Sequence, residues 1–137
     1  MKTHAFRLKP GEDLRSSIEG YTKKNNIKAG VILTCVGSLK QATIRMANAS
    51  TLEKNKQILS FNKKFEIVSL VGTLSDKKCH LHISLSDGNG KVIGGHLKKG
   101  CIIYTTAEIV IGELPELEFT RETDESTGFV ELVVNVY

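Results

Sequence analysis

Tryptophan is absent from this chain of 137 residues, and aromatic residues supply only 6% of it. That leaves too few ring faces for a sheet that stacks unpaired RNA bases. Cysteine is scarce as well. Cys35, Cys79 and Cys101 are odd in number, far apart and without a CxxC pair, so neither a disulfide framework nor a cysteine-built zinc site organises the chain. No apolar run approaches the roughly 20 residues of a membrane-spanning helix. The opening MKTHAFRLKPGEDL has no apolar stretch of the secretory kind. A soluble protein of a reducing compartment, most simply the cytoplasm, is expected, with no membrane partner.

Charge is only mildly one-sided, at a net +4 and a pI of about 9.0. Lysine doublets at 23–24, 63–64, 77–78 and 98–99 are scattered along the chain, as on a solvated surface. The excess permits an anionic partner such as nucleic acid without specifying one. A length of 137 residues suffices to bury a core without a structural metal, so any ion bound here serves function rather than folding.

One helix and many strands are legible. Residues 4–8 alternate as a strand, Pro10-Gly11 breaks it, and Glu12 or Asp13 can cap a helix over 13–25 on which Leu14, Ile18 and Tyr21 recur at helical spacing. Residues 29–47 read as two strand segments separated by a bend at Gly37-Ser38. A polar loop with a short strand follows over 48–62. Next comes a strand over 64–76, with Phe65 and Ile67 on one face and Ser69 placed next along it. Further strands fall at 79–86, 91–97, 101–114 and 128–137. The order predicts an α+β fold, a largely antiparallel sheet with one main N-terminal helix, as a single domain over 1–137.

Three of the four histidines lie in HLHISLSDGNGKVIGGHL, residues 80–97. Leu81, Ile83 and Leu85 alternate with His80, His82, Ser84 and Ser86, so the imidazoles share the face opposite the core. A two-residue loop at Gly88-Asn89 would pair Leu81 with His96 and mix both faces. A three-residue loop, Gly88-Asn89-Gly90, pairs Leu85 with Ile93 and places His82 across from His96. Gly90 suits the left-handed third position, and Gly94-Gly95 leave room above the sheet or accommodate a bulge. In this register His80, His82 and His96 can meet one divalent ion, zinc by preference, with a vacant fourth position. Three neighbouring histidines on a polar sheet face are the competing reading. No carboxylate is placed beside them: Asp87 belongs to the turn and Glu108 to another strand, so a general base, and with it any catalytic residue, is unknown.

The blocks KFEIVSLVGTL, HLHISLSDGNGKVIGGHL and AEIVIGEL, preceded by FRLKPGEDL and GVILTCVGSLKQATI, resemble the plants-and-prokaryotes conserved (PPC) domain across essentially the whole chain. The resemblance implies an α+β homotrimer. It also implies a tie to DNA, because in plants this domain is joined to AT-hook segments in nuclear DNA-binding proteins. Phe65, Glu66 and Ile67 match the family's block for contacts with regulatory proteins. His80, His82 and His96 match the histidine pattern through which some stand-alone members look like metal binders. The Arg-Gly-Arg-Pro core of an AT-hook is absent; the prolines are Pro10 and Pro115, without such flanks.

Two functions follow as expectations. One is a DNA-associated regulatory homotrimer that carries the three-histidine site. The other is a zinc-type metal-binding protein or metalloenzyme acting on a small molecule with no DNA role.

Overall fold

The computed structural model describes residues 1–48, 57–76 and 78–137. Lys77 and most of the expected 48–62 loop lie outside the described residues. Strand β1 (Lys2–Leu8) runs into helix α1 (Leu14–Lys24). Asp13 caps that helix by accepting from the Ser16 amide at 2.9 Å, and its second oxygen accepts from the Gly100 amide at 2.7 Å. One short acidic side chain thus starts the helix and ties it to a distant loop. Leu14 and Ile18, one turn apart, are fully buried.

The strands that follow are β2 (Gly30–Arg45), β3 (Ile58–Phe61), β4 (Phe65–Leu74), β5 (Cys79–Ser86), β6 (Val92–Leu97) and β7 (Ile102–Glu113). With β1 they form one sheet in the order β1-β7-β2-β4-β5-β6, every pairing antiparallel. The structure is α+β with a single helix among the described residues.

Residues 30–45 form one long strand rather than the two segments expected. Register shifts between Ile32 and Thr34, and on either side of Leu39, bend it without ending it. It pairs β4 as far as Leu39 and β7 as far as Gln41; its last residues pair β3 and also β6, through Ile44↔Leu97 and Arg45↔His96. The path β2-β4-β5-β6 therefore closes on β2. That closure brings Arg45 against the histidine hairpin.

The core is aliphatic. Leu39, Ile44, Leu81, Leu85, Leu97, Ile103, Ile109 and Ile111 are essentially inaccessible to solvent, each worth on the order of 1.5–3 kcal/mol of burial. A register shift in β4 between Ile67 and Ser69 changes which residues face it. Phe65 and Ile67 point inward, but beyond the shift Leu70 and Leu74 do, and Ser69 leaves the inward row. Strict alternation from Phe65 placed Ser69 with Ile67; the extra residue in the ladder breaks that count.

One strand was not foreseen. Residues Leu117–Thr123 form β8, which pairs with β9 (Val130–Val136) as a separate two-stranded sheet. Phe119 is the hairpin's buried anchor, and its amide donates to the Lys28 carbonyl at 3.0 Å. Arg121 Nη2 donates to Thr73 Oγ1 at 3.2 Å, fastening β8 over β4.

Candidate metal centre

The β5–β6 hairpin has the three-residue loop. Asp87 and Lys91 close it, with the Asp87 amide donating to the Lys91 carbonyl at 2.9 Å. Gly90 sits at φ +80°, in the left-handed region. Asp87 takes a structural part in that turn: Oδ1 accepts from the amides of Asn89 and Lys91, and Oδ2 meets Lys63 Nζ at 3.3 Å. Gly88 has an ordinary backbone and open space where a Cβ would stand.

From the turn the ladder runs Ser86↔Val92, Leu85↔Ile93, Ser84↔Gly94, Ile83↔Gly95, His82↔His96. No bulge interrupts it at the paired glycines. A Cβ on Gly94 would stand 2.6 Å from the Ile83 carbonyl oxygen, and one on Gly95 2.6 Å from that of Arg45. The two glycines let β6 approach β5 on one side and the end of β2 on the other.

His80, His82 and His96 emerge on one face. Their ring centroids are 5.1 Å (80–82), 5.3 Å (80–96) and 5.7 Å (82–96) apart, and one nitrogen from each lies within 4.8 Å of the other two. A tetrahedral ion with bonds of about 2.1 Å holds its ligands roughly 3.4 Å apart, so modest side-chain rotation closes the set. His82 is exposed, which leaves it room to rotate.

The electrostatics suit a cation's ligands in their neutral form. Burial lowers the His80 pKa, and the charges of Arg121 and His82 lower it further. Burial together with Arg45 lowers that of His96 to about 3. Imidazoles held neutral keep a lone pair available. His96 Nδ1 is buried without a hydrogen-bond partner, an arrangement that costs free energy unless something occupies that nitrogen. The residues fit a metal ion.

Above the histidines lies a cavity of about 560 Å³. Its walls include Arg45 from β2, Lys98 just beyond β6, Arg121 from β8, Phe129 just before β9, and Val130 and Glu131 at the start of β9. Glu131 is the carboxylate that sequence reasoning did not place. Nothing local in residues 128–137 marks it, because only the docking of the β8–β9 hairpin carries it to the histidines. Glu108 stands on β7 opposite Val36 and Arg7, away from this cavity.

The block Phe65-Glu66-Ile67 divides. Phe65 and Ile67 are buried in the core and Glu66 is exposed. Any partner contact made by this block falls to Glu66 and outward neighbours such as Val68, 56% exposed.

Residues 1–115 match the family model of the Plants and Prokaryotes Conserved (PCC) domain. The chain belongs to this family. A hypothetical protein from Salmonella matches this PPC domain with a TM-score of 0.91 at 36% identity, over 98% of this chain and 94% of that one. A metal-containing protein from Archaeoglobus fulgidus matches with a TM-score of 0.73 at 28% identity, over 97% and 94%. Among curated relatives, the bifunctional protein GlmU of a Synechococcus strain is 42% identical over 96% of this chain and 20% of its own length. The Arabidopsis thaliana AT-hook motif nuclear-localized protein 10 is 31% identical over 91% of this chain and 36% of its own. The chain thus spans between about a fifth and about a third of the curated relatives it matches. The matched family residues end at 115, so the β8–β9 hairpin that walls the cavity lies beyond them.

Proposed function

We propose that this PPC-domain protein binds one divalent metal ion, of the zinc type, through His80, His82 and His96, and presents it to a small molecule in the cavity above. The observation that carries this reading is the convergence of three imidazole nitrogens within 4.8 Å, one ring having a buried, unpartnered nitrogen. The metal-containing relative from Archaeoglobus supports it. When bound, an ion held by three protein nitrogens supplies a Lewis-acid position open to water or to a ligand. The protein's own part is to hold His80 and His96 neutral, to carry all three histidines on a rigid hairpin and to wall the position with β8–β9. The test is elemental analysis of protein purified without chelator or affinity metal, beside His82→Ala. About one ion per wild-type chain, lost in the variant, supports the reading. A chain that contains no metal and cannot be loaded ends it.

A DNA-associated regulatory role is the second reading, favoured by the 31% identity to an Arabidopsis AT-hook protein and by the basic excess. It predicts weak binding to duplex DNA that falls steeply with salt and survives chelation. Absence of binding at low salt removes it.

Assembly as a homotrimer accompanies either reading. Leu33 and Val36 on β2, and Val68 and Val71 on the adjoining β4, are each about half exposed, an apolar outer face suited to burial against another copy. Sedimentation at micromolar concentration tests it, and a monomer there contradicts it.

A further inference from the structure

Two arginines, Arg45 and Arg121, stand at the cavity over the histidines, and the fold places them. Arg45 is the direct cross-strand partner of His96, and directly opposed residues project to the same side of a sheet. Arg121 is bonded to Thr73, and Thr73 is the cross-strand partner of His80. Two guanidinium groups thus flank the imidazole cluster from opposite sides. Lys78 also lines the cavity, and Glu131 is the one carboxylate among its described lining residues. Arg15 lines it too, but its Nη1 donates to the Leu97 carbonyl at 2.8 Å and its Nε faces Glu19, so its charge serves the fold.

A cation is a poor neighbour for a metal ion unless something negative sits between them. Arginine side chains beside an open metal position form a recognition pattern for an oxyanion, which can ligate the metal with one oxygen and accept guanidinium hydrogen bonds with the others. The cavity has the volume of a small-molecule site. Phe129, Val130 and Met46 on its walls also suit a short apolar portion.

We infer that the ligand of this centre is a small organic anion whose carboxylate or phosphate group bridges the metal position to Arg45 and Arg121. The inference rests on the metal-binding reading above, and it makes the β8–β9 hairpin, through Arg121, a specificity element.

The experiment uses the full chain loaded with Co²⁺, whose visible spectrum reports both metal binding and a change of ligand. Oxalate, inorganic phosphate and the neutral diamide oxamide are titrated separately into wild type, Arg45→Gln, Arg121→Gln and Arg121→Lys. The expected result is a spectral shift with oxalate or phosphate and none with oxamide. Both Gln variants should weaken anion binding tenfold or more while Co²⁺ loading is unchanged, and Arg121→Lys should retain part of the affinity. Whichever of oxalate and phosphate binds more tightly assigns the group as carboxylate or phosphate. Thermal unfolding of each variant separates lost recognition from lost structure. Co²⁺ that loads normally, with oxamide binding as well as oxalate or with affinities unmoved by the Gln variants, overturns the anion inference and leaves the metal reading standing. Anion binding abolished by stoichiometric duplex DNA reassigns the arginines to backbone phosphates and also overturns it. Failure of Co²⁺ to load overturns the metal reading, and this inference with it.

Discussion

His82 and His96 face each other across β5 and β6 with ring centroids 5.7 Å apart, whereas the fourth histidine, His4, is bound elsewhere. His4 Nε2 donates to Glu113 Oε1 at 2.8 Å, and its Nδ1 is hydrogen-bonded to the Tyr21 hydroxyl at 3.0 Å. That imidazole joins β1, β7 and α1 and has no part in the cluster. The two kinds of histidine should separate cleanly by substitution. We expect His4→Ala to cost about 2 kcal/mol in urea unfolding, since it leaves Glu113 without its buried partner, and to keep full metal loading. His82→Ala, at an exposed position, should lose the metal with stability changed by about 0.5 kcal/mol or less in metal-free protein. The reverse pattern would place the site at His4.

The glycines of the hairpin should not be equivalent. A Cβ at Gly94 or Gly95 meets a carbonyl oxygen at 2.6 Å, whereas one at Gly88 meets nothing within 4 Å. Gly95→Ala must push β6 away from the end of β2, and overpacking of this kind costs about 1–3 kcal/mol. It should weaken metal binding as well, because Arg45↔His96 is part of the same seam. Gly90→Ala, at φ +80°, should cost about 1 kcal/mol, and Gly88→Ala should be near neutral. Urea midpoints of the three variants check the ranking, and equal costs at Gly88 and Gly95 would contradict it.

The hairpin register was legible because two independent constraints agreed: the apolar face of Leu81, Ile83 and Leu85, and a glycine at the third loop position. Helix α1 was legible from its cap and the Leu14–Ile18 spacing. What escaped was non-local. Nothing in residues 30–45 shows that one bent strand serves four neighbours, and Arg45 therefore gave no sign of facing His96. LEFTRET has a strand's alternation but needs β9 as its partner before it can be assigned. With β8 unread, Arg121 and Glu131 could not be placed over the histidines. The extra residue in β4 that displaced Ser69 likewise has no composition signal, since a bulge is a property of the pair of strands.

Alkali should unfold this protein in part through its thiols. Burial holds the Cys35 thiol up at about 12 and the Cys101 thiol at about 11; the carboxylate of Asp13 adds to the latter and a hydrogen bond from Thr43 opposes it. An unfolded chain releases those protons near 8.5. Between these values the folded state binds more protons than the unfolded state, so stability falls as pH rises and is unaffected by these groups below about pH 8. The urea midpoint should be level from pH 7 to 8 and decline above about 9. In a Cys35→Ala/Cys101→Ala variant, less stable at neutral pH, that decline should be shallower. A slope identical to wild type would assign the alkaline limb to other groups.

Metal should act on stability as a ligand of the folded state, because the cluster depends on strand pairing. His80 and His82 are two apart on β5, but His96 reaches them only through β6, so an unfolded chain presents no such set. At free Zn²⁺ a hundredfold above its dissociation constant, the linkage contributes about 2.7 kcal/mol. With an unfolding entropy typical of this chain length, that corresponds to roughly 9 °C in Tm. The increment should vanish in His82→Ala and on adding a chelator, and should persist in His4→Ala from its lower baseline. A rise in Tm that survives His82→Ala would mean that the ion stabilises the protein from another site.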